Sequence, residues 1–407
     1  MASFFAWLDF SEHERRKMLD VISQFREQDT RDELGIGMVR DAFADLLFPG
    51  TSTIQTRARY FLFVPWIYLD LERRKTTSNQ IISRARQKEI TLINALAASD
   101  DPDGTIGIQA RQTLQRLPSN IYWQGLGTLG IRLFLGSQDQ YHRYLDTFHS
   151  SGERNRRNDD GEPVEGKISY NWHTGLPPVA DGFPEKAFFR LAKREAEYLH
   201  ERIMARIPRT LFAFLVDHGR EMDPIDFPWQ HPKFGDFPSH IREQLEHGRN
   251  FSEVIHGAAL LYNLMLAEQR KLDDLINEYQ KKIQDWVYVI KERQDVLMRW
   301  ERKRFWEIVI SGNARVTHPT RLFINTWLDI VLSSQNHEEI KTNKQARQLI
   351  HDRERLLKRG LARLDNPRAL EQWNGAAGTQ QLNYRWPVTQ TIVSDILKGL
   401  SEGRADA

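Results

Sequence analysis

The run from Tyr60 to Leu69 constrains the fold more than any other stretch, because all ten of its residues are apolar or aromatic. Thr53 lies upstream and offers an N-cap hydroxyl, so the spacing predicts a helix over 53–73. A helix that is apolar on all sides lies in a large core or in a membrane, and crossing a bilayer takes about 20 residues. The run is too short to span, so we expect a central core helix in which Phe61 and Trp66 are almost fully buried.

Composition limits the chemistry that the chain can perform. The 407 residues include no cysteine, which excludes disulfides, thiolate chemistry and cysteine-based zinc or iron–sulfur sites. No nucleophile, metal-ligand or cofactor motif is recognisable, so we assign no catalytic residue, no metal site and no cofactor. The start, MASFFAWLDFSEHERRK, does not resemble a signal peptide, and no apolar stretch reaches membrane-spanning length. We therefore expect a cytoplasmic protein without a membrane partner.

Helical periodicity recurs along most of the chain and predicts a mostly α, multi-helical assembly with few or no strands. The polar stretch SGERNRRNDDGEPVEGK is the best domain boundary. We therefore predict an N-terminal helical domain over 1–150, a linker or extended arm over 151–184, and a C-terminal helical domain over 185–407. Near the start, an aromatic segment over 4–10 precedes a helix that Ser11 caps. The inner face of that helix consists of Met18, Leu19, Ile22 and Phe25.

Two helices around Pro49-Gly50 have the outline of a helix-turn-helix at the N-terminal side of the chain. In that arrangement Arg57 and Arg59 lie in the first turns of the second helix, where the motif contacts bases. The alternative is an ordinary helical hairpin in which both arginines pair with Asp41 or Asp45. The second helix is too apolar to lie in a groove, which favours the alternative.

A basic stripe over 341–368 is the most suggestive charge pattern. It holds nine Lys or Arg against three acids, a local excess of 9 − 3 = +6, in a chain whose formal charge is only +2. We expect its leucines and isoleucine to bury one helical face and its basic residues to line the other, where they suit phosphate contacts. The alternative is a solvated helix neutralised by acids elsewhere in the fold. The leucines and isoleucine are Leu349, Ile350, Leu356, Leu357, Leu361 and Leu364, and the candidate phosphate-binding residues are Arg347, Arg355, Lys358, Arg359 and Arg363.

One acidic loop allows an enzymatic alternative. Asp159, Asp160, Glu165 and Lys167 have the residue types that metal-dependent nucleases use to hold Mg²⁺. No buried strand flanks them and no second acidic cluster is identifiable, so solvated charge is the better interpretation.

Several runs of the chain together carry a family resemblance. They are LLFPGTSTIQTRARYFLFVPWIYLDLE, RLPSNIYWQGLGTLGIR, FSEVIHGAALLYNLMLAE, LARLDNPRALEQWNGAAG and the later LNYRW. The chain resembles, over essentially its whole length, a family of uncharacterised bacterial proteins catalogued as a domain of unknown function. Members look like companions of anti-phage defence genes, encoded near helicases, DNA methyltransferases and phospholipase D-like nucleases. The resemblance implies a context and no reaction.

These observations favour a non-enzymatic component of a DNA-directed anti-phage defence system. It would bind DNA, or partner proteins such as the helicase, methyltransferase or nuclease, or both. The alternatives are a metal-dependent nuclease or other enzyme with a site not visible in sequence, and a structural scaffold that binds only protein partners.

Overall fold

The structure, a computed structural model, describes residues 32–154, 170–312, 314–334 and 337–401. The aromatic segment over 4–10, the helix that Ser11 is predicted to cap and the acidic loop around Asp160 lie outside the described residues.

The described residues form an all-α protein, as predicted. The described part of the chain holds fifteen α-helices and no strand. The helices are α1 (Gly37–Leu47), α2 (Tyr60–Arg73), α3 (Ile81–Ala97), α4 (Pro118–Thr128), α5 (Gln138–Arg154), α6 (Lys193–Arg206), α7 (Leu211–His218), α8 (Ser239–Arg270), α9 (Asp273–Glu292), α10 (Gln294–Met298), α11 (Arg302–Ser311), α12 (His318–Ser333), α13 (Lys344–Lys358), α14 (Pro367–Glu371) and α15 (Trp386–Ser401).

These helices belong to two compact units, each built from separated parts of the chain. The first unit holds the described residues up to 43 together with 243–382, and the second holds 44–242 together with the described residues from 383 onward. These boundaries differ from those that composition predicts at 150 and 184. In the second unit, α15 from the end of the chain packs on α6 and α7.

The helix α2 is the centre of the second unit. Every residue from Tyr60 to Tyr68 is buried, and Phe61 and Trp66 are each only 1% exposed, so the predicted core helix is confirmed. The ring of Phe61 lies edge-on to Tyr122 of α4, with 4.9 Å between the ring centroids. The Nε1 atom of Trp66 donates to the carbonyl of Pro177 at 2.9 Å, which fixes the segment around Pro177 against the helix.

The start of α2 differs from the prediction, because the helix begins at Tyr60 and not at Thr53. The preceding N–H groups find partners in the tertiary structure instead of a helical cap. The N–H groups of Thr56 and Arg57 donate to the hydroxyl of Tyr122 at 2.9 and 3.1 Å. The N–H of Ala58 donates to the Asp395 carboxylate at 2.9 Å. Residues 51–59 therefore form an irregular segment with turns at 53–54 and 58–59, and the helix-turn-helix outline does not place Arg57 and Arg59 on a helix.

A buried carboxylate caps the neighbouring helix α4. Glu89 of α3 accepts from the N–H of Ser119 at 2.8 Å and from its hydroxyl at 2.7 Å. Gln138 links this site to Tyr68, since its Nε2 donates to Ser119 Oγ at 2.8 Å and to the Tyr68 hydroxyl at 2.6 Å. Burial raises the pKa of Glu89 to about 7, although both bonds from Ser119 oppose this shift.

We expect Phe61→Ala to lower the free energy of unfolding by roughly 3–5 kcal/mol, because the substitution removes buried apolar surface and leaves a cavity. Urea unfolding measures the change. Ile82→Ala on the exposed side of α3 is the control and should stay within about 0.5 kcal/mol of the parent. A loss for Phe61→Ala as small as that of the control would contradict a central role for α2.

The raised pKa of Glu89 makes stability depend on pH. Between the ordinary value of 4.5 and the folded value of about 7, the folded protein binds more protons than the unfolded chain. The free energy of unfolding should therefore fall as pH rises through this window. The fall, relative to Glu89→Gln, should be on the order of 1–3 kcal/mol. Urea unfolding across this pH range measures it, with the exposed Glu371→Gln as control. Parallel pH profiles for the parent and Glu89→Gln would refute the expectation.

Candidate nucleic-acid interface

Arg57 lies in the segment before α2 and forms ion pairs with two aspartates of its own unit. Its Nε atom donates to both oxygens of Asp395 at 3.0 and 3.1 Å, and its Nη1 donates to Asp101 at 2.8 Å. The guanidinium also lies 4.6 Å from the ring centre of Phe189. Burial lowers the pKa of Arg57, but Asp395 and Asp101 outweigh burial, so the pKa lies above its ordinary value.

Arg59 is more deeply buried and is likewise paired. Its Nη2 donates to Glu195 of α6 at 2.7 Å, and its Nη1 donates to the carbonyl of Phe188 at 2.8 Å. The partners predicted from sequence, Asp41 and Asp45, are therefore wrong for both arginines. An acid partner was expected, but the acids come from much later in the chain.

The basic stripe divides into paired and unpaired residues in the first unit. Arg347 pairs with Glu268, and Lys358 and Arg363 both pair with Glu33. Arg353 is buried, and its guanidinium donates to the carbonyls of Leu34 and Gly35 at 2.8 and 3.0 Å. These four cations hold the chain's own groups together.

The C-terminal end of α13 is fixed by a buried carboxylate. Glu354 accepts from the N–H groups of Arg363 and Leu364, each at 3.0 Å, and from the Tyr262 hydroxyl. It also pairs with Lys358 at 3.1 Å. Burial raises the pKa of Glu354, but the bonds from Tyr262 and the two N–H groups, together with Lys358, outweigh burial and hold it below its ordinary value.

Four exposed cations of the stripe form no ion pair or hydrogen bond through their side chains within the described part of the chain. One of them, Arg368, lies in α14, and the other three lie in α13 or directly after it: Lys344, Arg355 and Arg359. Lys344 and Arg355 are eleven residues apart, which places them within about 20° of each other around an α-helix. Arg359 follows at the helix end with a left-handed φ of 51°. We call these three residues the basic face of α13.

The expected burial of the leucines of this helix is largely wrong. Ile350 is buried, but Leu356, Leu357 and Leu361 are 56%, 42% and 71% exposed. The physical reason is that Arg353 and Glu354 occupy the inner face, where each finds polar partners. A buried ion with enough hydrogen bonds can take an interior position that hydrophobicity alone would give to a leucine.

A concave site in the second unit escaped the sequence analysis. It is a cavity of about 300 Å³. Its lining includes Arg57, His231, Trp386, Asp395 and Lys398. Burial lowers the pKa of His231. Of these lining residues, only Arg57 is a site residue predicted from the sequence. Nothing in the spacing of the chain indicates that Asp395 is its partner.

Two further findings concern chemistry and location. Among the described residues, no group of three or more histidine, aspartate or glutamate side chains could hold a metal ion. In the same part of the chain, no helix is both long enough and apolar enough to span a bilayer.

The fold and the surface together define an all-α protein with an exposed basic helix face. The chain belongs to the Family of unknown function (DUF6361), whose model matches residues 2–399. No curated protein and no solved structure matches the chain.

The ion pair of Arg57 should stabilise the second unit. Arg57→Ala leaves the Asp395 carboxylate buried without its partner, and we expect a loss of about 3 kcal/mol in urea unfolding. Arg74→Ala removes an exposed pair with Asp70 and should cost less than about 1 kcal/mol. Equal effects of the two substitutions would show that Arg57 is not a structural residue.

Proposed function

We propose that this protein is a non-enzymatic DNA-binding component of a bacterial anti-phage defence system, and that the basic face of α13 contacts DNA phosphates. The observation that carries the proposal is that the side chains of Lys344, Arg355 and Arg359 have no ion-pair or hydrogen-bond partner among the described residues. Each of the neighbouring cations Arg347, Lys358 and Arg363 already has an acid partner. An exposed cation without an internal partner is available to an external anion.

The arrangement of these cations suits a polyanion better than a single small anion. They lie along one side and the end of a fifteen-residue helix, which is about 22 Å long. Asp352 is the acid that lies between them on this side, and it accepts from Gln348 at 2.9 Å. Phosphates recur along a duplex at intervals much shorter than this helix, so several can be contacted at once. Such contacts carry no base specificity.

The defence context comes from the family resemblance and not from the geometry. Within it, the protein would act beside a helicase, a DNA methyltransferase or a phospholipase D-like nuclease. The alternatives are a metal-dependent nuclease and a scaffold that binds only proteins. Arg57 and Arg59 are left out of the proposed interface, because both hold carboxylates of the fold.

The test is the salt dependence of duplex binding. Each phosphate contact that is lost should reduce the slope of log K against log salt by about 0.9. We therefore expect the triple variant Lys344→Ala, Arg355→Ala, Arg359→Ala to bind any duplex more weakly and to lower the slope by about two to three units. Fluorescence anisotropy with two unrelated duplexes across a salt series measures both quantities.

A charge-matched control separates specific contacts from net charge. Lys281, Arg299 and Lys303 are exposed cations of the same unit, and their triple alanine variant loses the same +3 charge. This control should keep most of the parent slope, and both variants should keep the parent unfolding temperature. Equal weakening by the two variants would overturn the assignment to α13. No duplex binding by the parent would favour the scaffold, and magnesium-dependent cleavage of the duplex would favour the nuclease.

A further inference from the structure

The cavity of about 300 Å³ in the second unit has no part in the proposed DNA interface. Its lining comes from Arg57 before α2, from the segment that follows α7, from His231 and from α15. All of these residues belong to the second unit, whereas the basic face of α13 belongs to the first. Small-molecule sites in proteins have volumes of about 300–1,000 Å³. The cavity is therefore a candidate site for a small ligand.

The two aspartates of the lining already have a partner. Arg57 donates to both oxygens of Asp395 through Nε and to Asp101 through Nη1. The third acid of the lining, Glu221, is exposed, and its Oε1 lies 3.5 Å from the Ser401 hydroxyl. Of the acids at the cavity, Glu221 alone forms no ion pair within the described part of the chain.

Two cations at the same cavity have no acid partner. Arg220 follows α7 and Lys398 lies in the last turn of α15, and both are exposed. Neither side chain forms an ion pair or a hydrogen bond with the residues that the structure describes. The formal charges of the complete lining cancel, so attraction of an anion depends on these two side chains and not on a net field. Together they can form charge-assisted hydrogen bonds with one anionic group.

His231 supplies a buried hydrogen-bond donor to the lining. It is 7% exposed, and its Nδ1 accepts from the N–H of Lys233 at 3.1 Å. Burial lowers the pKa of His231, which favours the neutral imidazole, and a neutral imidazole that accepts at Nδ1 carries its proton on Nε2. This Nε2–H has no partner among the described residues, and a buried donor without a partner is costly. An oxygen atom of a ligand would supply the missing acceptor.

Apolar side chains complete the lining. Leu215, Trp386 and Val393 are buried, and Met222 is exposed at the same cavity. The Nε1 atom of Trp386 already donates to the carbonyl of Ile225 at 2.9 Å, so its ring contributes apolar surface. An apolar wall with a few convergent polar groups is typical of a site for an organic ligand.

We propose that this cavity binds a small organic anion in which a carboxylate or phosphate group is joined to an apolar body. Arg220 and Lys398 pair with the anionic group, and the Nε2–H of His231 donates to an oxygen of the ligand. The apolar side chains contact the rest of the ligand. The proposal does not rest on DNA binding, and its test uses no DNA.

The first test is a fluorescence titration of the full-length protein with anilinonaphthalene sulfonate, an aromatic anion that reports on apolar sites. We expect saturable binding, and we expect the double variant Arg220→Ala, Lys398→Ala to bind at least about tenfold more weakly, because two charge-assisted contacts are lost. Arg84 and Arg116 are exposed cations of the same unit, and their double alanine variant loses the same +2 charge. This control should keep the parent Kd. Equal affinities of the two double variants would overturn the proposal.

The donor of His231 is tested separately. His231→Phe keeps an aromatic ring at this position and removes the Nε2–H, so we expect weaker binding of the same probe. An unchanged Kd would overturn the role assigned to His231. Each variant is compared with the parent by circular dichroism and by its unfolding temperature, which show whether the fold is kept.

Competition for the probe on the parent protein identifies the ligand class and needs no variant. Octanoate and octyl phosphate should displace the probe, and the stronger competitor shows which anionic group the cavity prefers. Octylamine has the same apolar chain with a positive charge and should not displace it. Displacement by octylamine as strong as that by the two anions, or no saturable binding of the probe, would overturn the proposal.

Discussion

The second unit depends on the carboxylate of Asp395 in α15. It accepts from the Arg57 side chain and from the N–H of Ala58, two groups immediately before the buried helix α2. A helix end that is buried without partners for its N–H groups is costly, and here a residue 337 positions later in the chain supplies one. The same pair holds Arg57 across the Phe189 ring. The start of α2 is thus set by a distant acid and not by a local cap.

This dependence explains which parts of the fold were predictable. An unbroken apolar run needs no partner information to indicate burial, so Phe61 and Trp66 were placed correctly. The beginning of the same helix was placed seven residues too early, because Thr53 satisfies the local rule for a cap. Of the N–H groups that such a cap would serve, that of Gln55 donates to the Ser52 carbonyl at 3.3 Å and that of Thr56 donates to the Tyr122 hydroxyl at 2.9 Å. Helix-capping propensity, which depends on neighbouring residues alone, cannot predict partners that are distant in the sequence.

The charged residues of the candidate interface also show that the sequence does not identify tertiary partners. Counting residues over 341–368 identifies an excess of cations, but it does not distinguish Arg355 from Lys358, three positions away. Lys358 pairs with Glu33 and Glu354, whereas the Arg355 side chain pairs with no acid in the described part of the chain. The predicted burial of the leucines of α13 is wrong because Glu354 occupies an inner position of the helix instead. Its carboxylate can be buried there because Tyr262 and backbone N–H groups bind it. The periodicity of the sequence shows which residues share a face of a helix. Whether that face is buried depends on its tertiary contacts.

The place of α15 in the chain has a consequence for biosynthesis. Gly399 lies so close to α6 that an added Cβ would be 2.8 Å from the Cβ of Ala196, so this last helix fits closely into its unit. On the ribosome, α2 emerges long before the helix that completes its surroundings. Until residue 395 has left the exit tunnel, Arg57 lacks its main partner and the aromatic run beside it has no finished core. The nascent chain must therefore carry this apolar surface while the 337 positions from Ala58 to Asp395 are synthesised, which is a period in which chaperone binding would matter.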